Sequence, residues 1–231
     1  MAVFLKDNPM SPSSRIGRAE LLDLSLSLAV LAFAFSIIIG ESGVPGANIF
    51  FISAMGVGSG FLLHEMAHKF VAQRYGYWAE YRANRMGLVF IIAMAFMGFI
   101  FAVPGAVMIR KDPYDPIRFA RPIGDAIPLG RTDTTAGREE LWIALAGPMT
   151  NIVLTLLFFS LIKSGIVASG LLMGVAYFGF LINLILAGFN MIPVDPLDGG
   201  KIFRGSRLVW AIVGIPTILA ALPVFFGVRI I

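Results

Sequence analysis

Apolar positions along this chain fall in long blocks, with neither the alternation of a half-buried strand nor the narrow stripe of a surface helix. Five blocks stand out: residues 21–39, 49–75, 141–162, 170–190 and 208–226. About 20 apolar residues carry a helix across a bilayer, because hydrocarbon offers no partner for backbone polar groups and a helix satisfies its own. Each block is therefore expected to cross a membrane, with Pro216 and Pro223 bending the last. A sixth block, 86–109, is broken by Pro104-Gly105. The one long polar segment, 110–140, holds four prolines and mixed charges and reads as an irregular surface connection, too short and polar for a core of its own. The expectation is one membrane domain over 1–231, entered through a polar segment 1–20 that lacks the pattern of a cleavable signal.

Composition agrees. Apolar residues make up 58% and charged residues 14% of 231, against roughly 45–50% and about 25% in soluble domains. Cysteine is absent, which excludes disulfides, thiolate metal sites and a cysteine nucleophile. A net charge of +4 with scattered basic residues gives no nucleic-acid footprint.

Charge also decides the sixth block. If 86–109 enters and leaves on one side, and the N-terminus is cytoplasmic, all lysines and arginines except Lys163 and Arg229 gather inside. If it crosses, the 110–140 loop and Lys201, Arg204 and Arg207 move outside. The positive-inside rule prefers the first arrangement, so 1–20 and 110–140 are expected to be cytoplasmic. The fold expected is an all-α polytopic membrane protein of the cell membrane. It has five crossing helices and a re-entrant apolar element after the second block, either a helical hairpin or a helix followed by a strand over 101–109.

The chain's only histidines, His64 and His68, lie in the second block with Glu65 as HExxH. Four residues apart on a helix, both imidazoles face one metal, and Glu65 stands close enough to take a proton from its water. Such a cluster inside a membrane is costly unless a cation joins it. A catalytic zinc takes a third protein ligand, and with no third histidine the donor must be a carboxylate. Asp198, in FNMIPVDPLDGGK at the end of the fourth block, is the leading candidate; Glu41, Glu80 and Asp195 are rivals. With 86–109 re-entrant, the second and fourth blocks both run inward and deliver His64, His68 and Asp198 to one depth, in the cytoplasmic half.

Together HExxH at 64–68, GPMTN at 147–151 and NxxPxxPLDGG at 190–200 make the chain resemble the site-2 protease family of intramembrane zinc metalloproteases, over about residues 49–201. The resemblance implies Zn2+ held by His64, His68 and Asp198, Glu65 as general base, and Asn151 near the metal, holding the substrate strand or the oxyanion. It implies a transmembrane protein as substrate, regulated intramembrane proteolysis as the process, and a membrane-embedded sheet whose edge pairs with the substrate. Two features depart from the pattern: a long stretch between the HExxH helix and GPMTN, and Asp195 where an apolar residue or proline is expected. A different class, a metal transporter or metal-binding protein using the same ligands without hydrolysis, has no use for Glu65 between the histidines. A serine protease lacks a histidine base, and Gly58-Ser59-Gly60 reads as close helix packing. An aspartyl protease needs aspartates inside spans, whereas Asp115 and Asp125 lie in the polar loop.

Overall fold

The computed structural model describes residues 16–40, 46–99, 104–110 and 134–225. Among the described residues, five helices are long and apolar enough to cross a membrane. The first, α1, is Arg18–Ile39. In the second, α2 (Ala47–Val57) passes through a π-helical turn, Gly58–Leu62, into α3 (Leu63–Arg74). Then come α5 (Thr134–Lys163), α6 (Gly170–Asn190) and, after the short α7 (Asp198–Gly205), α8 (Arg207–Phe225), which runs through Pro216 and Pro223. Their outward faces expose Leu22, Phe50, Leu157, Leu172, Ile212 and Leu219, the surface that lipid covers.

The described part of the sixth block holds a short helix and a strand, and that strand pairs with another just ahead of the block. Strand β1 (Trp78–Ala83) leads to α4 (Arg85–Phe96), and β2 (Gly105–Arg110) returns. Twelve residues rise about 18 Å as a helix, well short of a ~30 Å hydrocarbon core. Antiparallel pairing sets Ala83 opposite Gly105, so the chain comes back to where it left. Of the two forms expected, helix then strand is the one adopted, and the fold is the expected helical one with a small two-stranded sheet after the HExxH helix. The strand occupies 105–110; positions 101–103 of the expected strand lie outside the described residues, as do Glu41, Asp115, Asp125 and residues 111–133.

Side-chain contacts fix the helix directions. Glu20 at the start of α1 meets Lys69 near the end of α3, and Ile143 and Asn151, in the first half and at the middle of α5, meet the two histidines. Asp198, just beyond α6, reaches the same place. Thus α1, α5 and α8 run one way and the α2–α3 rod and α6 the other, as five crossings with a re-entrant excursion require. Close packing comes from glycine: a Cβ on Gly56 would strike the Phe178 ring, and one on Gly60 would lie 2.9 Å from Leu186 Cδ1. The 1–20 boundary shifts, because α1 begins at Arg18 and Glu20 is wholly buried.

Candidate metal centre

Helix α3 sets His64 and His68 one turn apart, their rings 4.6 Å between centroids. Asp198 begins α7, where Gly199 allows close approach: a Cβ there would collide with the backbone of Met191 and Ile192. That turn is braced by Trp210 of α8, whose Nε1 donates to the Met191 carbonyl at 2.8 Å. The outcome is a triangle of donor atoms. His68 Nε2 lies 3.0 Å from His64 Nε2 and 3.0 Å from Asp198 Oδ2, and the third edge, His64 Nε2 to Asp198 Oδ2, is 3.3 Å. All three residues are buried.

Hydrogen-bond polarity says what belongs at the centre. His68 Nδ1 meets the Ile143 carbonyl at 2.6 Å, and His64 Nδ1 meets Asn151 Oδ1. The Asn151 amide cannot be turned the other way, because its Nδ2 donates to the Gly60 carbonyl and to Asn183 Oδ1, both at 2.9 Å. Asn183 is fixed similarly, donating to the Gly179 carbonyl at 2.8 Å and to Ser59 Oγ at 3.2 Å. Both neutral imidazoles therefore carry their hydrogen on Nδ1 and turn bare Nε2 lone pairs inward. Two lone pairs and a carboxylate oxygen facing one another repel unless a cation lies between them. Donors on a tetrahedral zinc at ~2.0–2.1 Å are roughly 3.3 Å apart, close to the edges observed. Room is kept by Gly147: a Cβ there would sit 2.6 Å from His64 Nε2 and closer still to His68 Nε2. The three residues form the one group able to hold a metal among the described residues.

Glu65, half-buried beside the triangle, faces the Val107 backbone N–H of β2. Two of the rival donors, Glu80 and Asp195, are elsewhere. Glu80 on β1 binds Arg82 at 2.5 Å, and Asp195, largely exposed, binds Arg204 Nη1 at 2.6 Å. Asn151 lies against His64. Its oxygen is given to His64 and both amide hydrogens are spent, which leaves it no donor for a substrate or an oxyanion in this arrangement. It orients His64. Sequence reasoning missed Lys201, whose Nζ donates to Asp198 Oδ1 at 3.1 Å and so leaves Oδ2 for the metal. The signal was available, since a cation three residues after Asp198 shares its face of a helix.

A buried two-histidine, one-carboxylate centre with an adjacent glutamate, built into membrane-spanning helices, defines a class of metal-dependent hydrolase. The comparisons with known proteins agree. Peptidase family M50 matches residues 51–169 and 162–218. A Methanocaldococcus jannaschii protein provisionally named zinc metalloprotease MJ0611 is 41% identical over 211 residues, 88% of this chain and 93% of that protein. Zinc metalloprotease MJ0392 of the same organism is 24% identical over 204 residues, 84% of this chain but 45% of that longer protein. No solved structure matches. The chain belongs to peptidase family M50, the site-2 protease family, and is a metalloprotease.

Proposed function

We propose that this chain is an intramembrane zinc endopeptidase that hydrolyses a peptide bond in or near a transmembrane segment of another membrane protein, as a step of regulated intramembrane proteolysis. Zinc is the ion that the donor set and the relatives call for. The observation that carries the reading is the triangle of His64 Nε2, His68 Nε2 and Asp198 Oδ2, three lone-pair donors turned toward one another. Bound zinc supplies a Lewis acid that polarises a carbonyl and lowers the pKa of water toward 7. His64, His68 and Asp198 are its ligands, with Asn151, the Ile143 carbonyl and Lys201 aiming them. Glu65 takes the proton from the attacking water and passes it to the leaving amine.

The two-stranded sheet supports a substrate bound as an extended strand. Tyr81 N–H points away from β2, to Glu20, while Asn84 N–H bonds the Pro104 carbonyl across the ladder. In an antiparallel pair this alternation makes Tyr81 and Val107 a non-hydrogen-bonded pair. The backbone groups of Gly105, Val107 and Ile109 therefore face away from β1. An extended substrate segment pairing there satisfies those of Gly105 and Ile109 and is held unwound beside Glu65, which the Val107 N–H faces. The charge asymmetry supports a cytoplasmic N-terminus and a site in the cytoplasmic half of the bilayer.

Proteoliposomes containing the enzyme and a single-span substrate test this. Cleavage should map within or beside the span, stop with a chelator and return with zinc. Zinc flux that depends on His64, without any cleavage, would instead establish the transporter alternative.

A further inference from the structure

Apart from the metal centre, the described residues bury one complete ion pair. Lys69 and Glu20 both have fully covered side chains, and Lys69 Nζ donates to Glu20 Oε2. Lys69 lies one turn beyond Glu65 on the same face of α3. The other oxygen, Glu20 Oε1, accepts the Tyr81 backbone N–H at 3.0 Å. The Tyr81 hydroxyl and Ser27 Oγ, the latter also on α1, are 2.9 Å apart. Burial pushes the Tyr81 phenol up, so the contact stays neutral at ordinary pH.

Across the sheet Tyr81 stands opposite Val107, whose N–H faces Glu65. The contacts close a ring: Glu65 on α3, Val107 on β2, Tyr81 on β1, Glu20 on α1, and Lys69 back on α3. A two-stranded ribbon is marginally stable alone, so its placement must come from outside contacts. A purely stabilising role would be served as well by an apolar pair of similar volume. The carboxylate does what an apolar pair cannot, because it accepts from an outward-facing backbone N–H of β1 and from the motif helix at once.

We propose that Glu20 is a positioning residue for the substrate-accepting edge. With Lys69 it clamps Tyr81 and, through the Tyr81–Val107 register, holds β2 level with Glu65, so that a strand added to β2 presents its scissile bond to the metal centre. This rests on the reading that β2 takes the substrate as a strand. The clamp sits on the far edge of the sheet from that substrate, and it acts on alignment without touching the reacting atoms.

The double variant Glu20→Leu with Lys69→Met tests it, because it removes the acceptor for Tyr81 N–H without stranding a buried charge. Zinc content should match wild type, while KM for a single-span substrate in vesicles rises about tenfold and kcat falls no more than about twofold. Hydrogen exchange at Tyr81 and along β2 should speed up. Wild-type KM and exchange in this variant would overturn the proposal. Should the variant not fold, wild-type exchange decides: the Tyr81 amide must be as protected as the helix amides around it, and fast exchange there refutes the clamp. A wild-type protein that cleaves nothing with zinc present would instead overturn the protease reading itself.

Discussion

Helix α3 contributes to two buried polar clusters from neighbouring positions, His64 and His68 to one and Lys69 to the other, and they are built on opposite logic. At the metal centre, His64, His68 and Asp198 turn electron-rich atoms toward one point, an arrangement that repels itself until a cation completes it. At the sheet junction, Lys69 and Glu20 cancel one another and a backbone N–H takes the remaining oxygen. The first cluster gathers lone pairs and suits a cation. The second is complete and therefore mechanical. The difference shows that burial of charge alone does not mark a reaction centre; what marks it is an unsatisfied set of donors.

The largest effect expected on this contrast is at Glu65. Glu65→Gln should lower cleavage roughly 10²–10⁴-fold, the usual worth of a general base, while zinc stays bound; a turnover assay with metal analysis of the same sample checks both. Next is the junction broken on one side. Lys69→Met strands the Glu20 carboxylate and should cost about 3–5 kcal/mol of stability, read by denaturation in detergent, and the double apolar variant should recover most of it. A milder effect belongs to the residue that aims a ligand. Asn151→Ala should weaken zinc affinity about 10–100-fold, measured by chelator competition, because His64 loses its tautomer partner. The smallest is at Asp195. That side chain pairs with Arg204 in the open, so Asp195→Ala should change stability by less than about 1 kcal/mol and leave zinc in place. Zinc loss in this variant would bring the rejected rival back as a ligand.

The two clusters also differ in how far the chain discloses them. His64, Glu65 and His68 make sense only together, and the membrane around them removes the ordinary explanation of surface residues. Asp198 was legible because proline and glycine beside it break a helix at the required depth, and the five crossings followed from block length alone. Glu20 and Lys69 are different. They are 49 residues apart, each is unremarkable in its neighbourhood, and Glu20 falls in what reads as a polar leading segment. No local pattern encodes a pair whose meaning is a three-element junction. Asn151 shows the intermediate case: its motif locates it beside the metal, but only the direction of its hydrogen bonds distinguishes orienting His64 from holding a substrate.

The central claim is that the triangle of His64, His68 and Asp198 is a hydrolytic zinc centre. Metal analysis and cleavage of a single-span substrate, performed on the same purified samples of wild type and Asp198→Ala, test it most directly. Wild type should hold about one zinc per chain and cleave, and Asp198→Ala should show neither zinc nor cleavage. Wild type that cleaves without zinc, or Asp198→Ala that keeps both metal and activity, would contradict it.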